Sequence, residues 1–237
     1  MRLSAPIYTL KRQAKLLARV KGIKLYEALN QIAQREGHRD WSYLASCYSK
    51  ETPAKVVLSQ LNSGNMVLIG ARPGHGKTLL GLELAALAKK NGRRSYVFSL
   101  DYNDTDVQCQ LGKLGLDLRQ PNDSVVVDTS DSICADHIAK RLGTKPVHAF
   151  VVIDYLQLLD QKRTSPPLDD QVRALKRLAI ESGAVVVLTS QIDRSFELAS
   201  NDMPTLTDIR LPNPVDLSLF DVRCFLHQGQ IQIEVPA

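Results

Sequence analysis

The chain has 237 residues, 44% hydrophobic and 23% charged, with a formal net charge of +5. This is the balance of an ordinary globular protein with one full α/β domain and a small appendage, and it excludes a disordered or fibrous chain. The longest apolar runs fall far short of the roughly 18 residues that cross a bilayer, and the basic start leads into a charged amphipathic stretch rather than a signal core. The expectation is a cytoplasmic protein with no membrane association.

Charge is unevenly placed: residues 1–50 hold 10 Lys/Arg against 3 Asp/Glu, and the rest of the chain holds 20 against 22. Residues 1–48 read as a small basic helical module. Leu10, Ala14, Leu17 and Val20 share one helical face, Ala28, Ile32 and Ala33 repeat the spacing, and Trp41 and Leu44 start a short third helix. Gly22 and Gly37 punctuate these helices. Arg12, Lys15, Arg19 and Lys24 are candidates for phosphate contacts that read no sequence, with a solvated helix surface as the alternative. The polar, proline-containing stretch 49–56 reads as a linker, and residues 57–237 form the body.

In the body, apolar runs alternate with helical stretches: MVLIG, a helix through Lys89, SYVFSL, a helix near Thr105–Leu114, SVVVD and a helix near Ser132–Leu142. AFVVIDYLQLL, a helix near Leu168–Glu181 and AVVVLTS continue the pattern. Continuous apolar strands separated by helices predict a mostly parallel sheet covered on both faces, the α/β class. DVRCFLH and QIQIEV around Gln228-Gly229 predict an antiparallel edge hairpin. The four cysteines, Cys47, Cys109, Cys134 and Cys224, are scattered without metal-binding spacing and read as buried reduced thiols. The five histidines are too far apart for a metal site.

Directly after MVLIG comes ARPGHGKT, followed by a helix. Ala71, Arg72, Pro73, Gly74, His75, Gly76, Lys77, Thr78 and Leu79 thus form a candidate phosphate-binding loop for ATP. Gly74 and Gly76 permit the tight turn that aims backbone N–H groups and a helix N-terminus at phosphate oxygens. Lys77 is placed to reach the β- and γ-phosphates and Thr78 to ligate Mg²⁺. The second half of such a site is an acid closing an apolar strand, and AFVVID supplies Asp154, which would hold the Mg²⁺ through water.

ARPGHGKT, YVFSLD, VVIDYLQLL, LTSQIDRSFE and TLTDIR occur in the order seen in the RecA-like core of replicative DnaB-type helicases, which this chain resembles from about Leu58 to Arg223. The resemblance implies a RecA-like P-loop NTPase fold, and roles for Gln191 at the γ-phosphate and for Arg194 in coupling to DNA. It departs in two places. Where the family has a catalytic glutamate, this chain has Asp101, one methylene shorter. The hairpin HQGQIQIEV also holds none of the basic residues that in the family reach a neighbouring subunit's nucleotide. Arg210 and Arg223 are candidate substitutes, Arg210 also for DNA contact. The family's N-terminal domain is expected to be missing.

Three functions follow as expectations. The first is a DnaB-like ATPase acting on single-stranded DNA as a homo-oligomer within a replication or repair assembly, with weak intrinsic hydrolysis. The second is a nucleotide-dependent adaptor, and the third a DNA-binding protein working through its basic module.

Overall fold

The computed structural model describes residues 4, 7–50, 52–100, 103–114, 125–143, 148–160, 165–198, 201–211 and 213–236. The chain forms two compact units, residues 1–56 and 57–237.

The first unit is helical. Helix α1 (Ile7–Lys21) packs on α2 (Leu25–Arg35), and α3 (Trp41–Lys50) follows. Leu10, Ala14, Ala28 and Ile32 form the buried centre, with Leu17 and Trp41 partly covered against it. Val20 departs from the expected face and is 84% exposed, because by the last turn of α1 the 100° step has carried it off the stripe. Asp40 opens α3 by accepting the Tyr43 N–H at 2.7 Å, and Asn30 of α2 accepts the Trp41 N–H at 3.0 Å. Arg12, Lys15 and Arg19 are exposed at helical spacing along α1, and Lys24 is exposed at the start of α2.

The stretch read as a linker is largely helical: α3 runs to Lys50, and α4 (Pro53–Ser59) begins three residues later. Thr52 accepts the Lys55 N–H at 3.3 Å and Pro53 occupies the first helical position, where its missing N–H costs nothing. Polar composition here did not report backbone state.

The second unit is a seven-stranded sheet in the order β3-β2-β4-β5-β1-β6-β7. Its strands are β1 (Met66–Ala71), β2 (Ser95–Ser99), β3 (Val126–Asp128), β4 (Phe150–Asp154), β5 (Val185–Gln191), β6 (Val222–His227) and β7 (Gln230–Glu234). All pairings are parallel except β6 with β7. The hairpin is therefore antiparallel as expected, but only β7 is the edge: β6 lies inside, parallel to β1. Every residue of β1, β2 and β4 is buried, as continuous apolar runs require when both faces are covered.

Helix α5 (Lys77–Lys90) covers one face, so closely that a Cβ on Gly81 would meet Val152 at 3.0 Å. On the other face Leu168, Val172, Leu175 and Ala179 of α8 (Leu168–Ser182) join Ile138 and Leu142 of α7 (Ala135–Leu142) against Val151, Ile153, Val186 and Leu188. Leu178 packs at the margin of this cluster. The chain after β4 does not stay extended: Leu156–Asp160 is a 3₁₀ turn.

Helix α6 (Asp104–Lys113) is capped by Asn103, which accepts the Asp106 N–H at 2.9 Å. Cys109 on α6 is exposed, contrary to a buried thiol, and Cys134 is half-buried, whereas Cys224 is buried and its thiol is pushed by burial up to about 12. The side chain of Cys47 lies outside the described residues. Polar bolts tie α8 to the chain before β6: Arg173 bridges Asp169 and Asp216, and Lys176 reaches Asp221 at 2.5 Å. Arg223, at the start of β6, donates to the Leu217 carbonyl at 3.3 Å, at the opposite end of the strands from the loop between β1 and α5. No described helix is long and apolar enough to cross a membrane.

Candidate functional site

Parallel strands present their carboxyl ends to one edge of the sheet, and ligands of open α/β sheets bind in the crevice there. Here that edge carries the loop between β1 and α5, the ends of β4 and β5, and the β6–β7 turn. Gly74 and Gly76 have φ of +80° and +91°, a left-handed backbone that only glycine adopts without strain. This turns the loop back to begin α5 at Lys77, leaving the first N–H groups of a 14-residue helix without intrahelical partners.

Four side chains converge behind the loop. Asp154, 1% exposed, receives the Thr78 hydroxyl at 2.8 Å on Oδ2. Its Oδ1 receives the Thr189 hydroxyl of β5 at 2.5 Å and the Lys77 ammonium at 3.4 Å. Lys77 is itself 8% exposed, with Nζ 5.3 Å from the centre of the Tyr155 ring. Burying a carboxylate demands such compensation, and each of these donors supplies part of it. Thr78 and Asp154 present hydroxyl and carboxylate oxygens, the donor chemistry of a hard divalent cation, so the residues present suit Mg²⁺.

A cleft of about 440 Å³ opens in front, lined by Pro73, Gly74, Gly76, Lys77, Thr78 and Leu79, with Gln191 closing it from β5. The other residues of the candidate loop are engaged elsewhere. Ala71 is the buried end of β1, its carbonyl accepting the Ile192 N–H at 3.0 Å. Arg72 donates to Glu197 at 2.8 Å and to the Ile192 carbonyl at 3.0 Å. Arg194 is exposed in the 3₁₀ turn Arg194–Leu198. Arg210 is also exposed, yet its backbone belongs to the site: its N–H donates to the Gln191 carbonyl at 2.8 Å, and its carbonyl accepts the Gln157 amide at 2.5 Å. Asp101 lies outside the described residues. Among the described residues no cluster of His, Cys, Asp and Glu suits a metal of its own.

Sequence reasoning missed Thr189, Glu197 and His227. The Thr189-Ser190 pair ends a strand beside the one ending in Asp154, so parallel pairing was the available signal. His227 had none: it stacks on His75 of the loop with ring centroids 5.0 Å apart and planes at 13°, while Phe196 meets it edge-on at 5.1 Å. His75 Nδ1 accepts the Gln228 N–H at 3.1 Å, so the β6–β7 turn is fastened to the phosphate loop by neutral imidazole.

Burial chiefly, then the charges of His227 and Arg72, hold His75 below its ordinary 6.5, with Glu197 opposing. A histidine depressed in this way favours the folded arrangement above pH 6.5 and loses that contribution as pH falls below it. We predict that an NMR titration places His75 below 6.5 in the wild type and nearer 6.5 in His227→Ala; a wild-type value at or above 6.5 refutes the arrangement.

Comparisons with known proteins find similarity to replicative helicases. The model of the DnaB-like helicase C terminal domain matches residues 118–231, a span holding Asp154, Gln191 and Arg210. The chain is 26% identical over 213 residues to the replicative DNA helicase DnaB of Helicobacter pylori, covering 73% of this chain and 42% of that protein. It is 23% identical over 238 residues to the same helicase of Geobacillus stearothermophilus, covering 87% and 51%. The chain thus spans about half or less of the length of these relatives. A solved DnaB-like replicative helicase, described together with its interactions with primase, superposes with a TM-score of 0.59 at 20% identity, covering 93% of this chain and 65% of that one.

Proposed function

We propose that this chain, whose body has the RecA-like core of DnaB-type helicases, is an ATP-binding, DNA-associated ATPase with slow intrinsic turnover. The observation that carries the proposal is the convergence of Lys77, Thr78 and Thr189 on the buried Asp154 behind a glycine loop and a helix N-terminus.

In this reading the N–H groups of the loop receive phosphate oxygens. Lys77 leaves Asp154 for the β- and γ-phosphates, while Thr189 continues to hold the carboxylate. Thr78 and Asp154 hold Mg²⁺, which when bound supplies positive charge that offsets charge developing on the phosphates. Gln191 faces the γ-phosphate end of the cleft, and Asp101 accepts the proton of the attacking water. Arg194 and Arg210 stand on the segment that follows Gln191 and offer cations to a DNA backbone.

Turnover is slow for two reasons: an aspartate stands where a glutamate would reach further, and the stretch His227–Val235, through the β6–β7 turn and β7, holds no Arg or Lys. An arginine supplied to the transition state is worth about a thousandfold or more. The hairpin turn, held to the phosphate loop by His75 and His227, favours a second reading, an adaptor that binds nucleotide to fix its shape for a replication or repair partner. The exposed row Arg12, Lys15 and Arg19, with Lys24, supports DNA contact by residues 1–48 as a module in its own right.

The test is ATP turnover and light-scattering mass, each measured with and without single-stranded DNA. We expect slow basal hydrolysis, stimulated several-fold by the DNA, and a larger species when ATP is present. ATP binding without stimulated turnover selects the adaptor reading. Failure to bind ATP at all defeats both.

A further inference from the structure

Ser99, the last residue of β2, is 1% exposed, and its hydroxyl has no hydrogen-bond partner among the described residues. A buried hydroxyl left without a partner costs folding free energy, so its position calls for a use. That position follows from the sheet. Ser95, on the same strand, donates its hydroxyl to the Ala85 carbonyl of α5 at 2.9 Å, and residues two apart on a strand share a face. Ser99 therefore faces the α5 side. It is in register with Asp154 on β4, whose carboxylate receives the Thr189 hydroxyl of β5 from the strand on its other side.

The carboxylate thus has a hydroxyl-bearing strand on either side, one strand spacing of about 4.8 Å away. Thr189 spends its hydroxyl on Oδ1, where Lys77 also sits, and Thr78 occupies Oδ2. The Ser99 hydroxyl is left over. We infer that Ser99 is a positioning residue of the nucleotide site: its hydroxyl and Oδ2 of Asp154 together hold a water of the Mg²⁺ coordination sphere once Thr78 has turned from Asp154 to the metal. Mg²⁺ gives up its waters reluctantly and keeps several when bound through one or two protein oxygens, and a water needs at least two polar partners to be held. The inference rests on the reading of the cleft as a Mg²⁺–nucleotide site.

The test uses the whole chain, ADP bearing a fluorescent label, and Mg²⁺. In excess chelator, Ser99→Ala binds labelled ADP within twofold of wild type, because no metal is involved. The Mg²⁺ concentration that gives half of the metal-dependent gain in ADP binding rises about fivefold or more. Ser99→Cys, which preserves volume with a much weaker hydrogen-bonding group, shifts it in the same direction. The melting temperature of metal-free Ser99→Ala is unchanged or higher, since no hydrogen bond is lost.

A Mg²⁺ midpoint within twofold of wild type in Ser99→Ala overturns the inference, as does a wild-type midpoint in Ser99→Cys. So does a fall of more than about 4 °C in metal-free melting, which for a domain of this size signals roughly 1 kcal/mol or more of lost stability and a structural partner for the hydroxyl. If wild type itself shows no metal-dependent gain, the reading of the site fails as well, and the two failures are distinguished.

Discussion

Lys77→Ala loses at least about a hundredfold in ATP affinity. Two charge-assisted hydrogen bonds to phosphate disappear, each worth about 1.5–3 kcal/mol, and 1.4 kcal/mol is a factor of ten. The same change acts on the empty protein, because Lys77 is one of the groups compensating Asp154. Removing one partner of a buried ion pair commonly costs 3–5 kcal/mol. Here the hydroxyls of Thr78 and Thr189 remain on the carboxylate, and the Lys77 contact is long at 3.4 Å. The expected folding loss is therefore smaller, about 1–2 kcal/mol, or a few degrees of melting temperature. Titration with labelled ATP and a thermal melt measure the two effects separately. Binding within threefold of wild type, by a variant that still melts cooperatively, removes Lys77 from the phosphate site.

The second large effect is a gain. Asp101→Glu raises ATP turnover about tenfold or more, because a positioned base contributes roughly 10²- to 10⁴-fold and the added methylene extends its reach towards the water. Asp101 follows Ser99 by two residues in the sequence. Asp101→Asn is the companion: turnover falls if the native aspartate already works, while ATP affinity stays near wild type in both variants. Steady-state phosphate release with parallel binding titrations checks this. If neither substitution moves turnover, Asp101 is not the base and the adaptor reading gains.

The local parts of this site were legible because each is a local pattern. MVLIG, the glycines of ARPGHGKT and the acid closing AFVVID report strand, turn and strand end from residues within a few positions of one another. What depended on strand order was hidden. Thr189 reaches Asp154 across 35 positions and His227 reaches His75 across a gap more than four times longer, and only the placing of β4 beside β5 and of β6 beside β1 brings them together.

The errors have physical causes as well. Val20 continued a periodic stripe that the 100° step had by then carried off the buried face of α1. Cys109 was read from the average behaviour of its residue type, whereas its exposure depends on which side of α6 faces water. Helix α4 (Pro53–Ser59), in part within the stretch read as a linker, had a readable start signal in Thr52-Pro53.

The segment after β5 leaves the sheet at Gln191 and returns at Arg210, and its two roots are sewn together. Ile192 pairs antiparallel with Ile209, the Asp193 N–H donates to the Asp208 carbonyl at 2.7 Å, and the Arg210 N–H to the Gln191 carbonyl at 2.8 Å. Pinching an 18-residue loop at its base costs roughly 2–3 kcal/mol of chain entropy, and these stitches carry it beside Gln191, at the rim of the candidate cleft. Neither root can then shift without the other. A displacement of Gln191 is passed to Arg210 through the hydrogen bond between them, and a load on Arg210 returns by the same route.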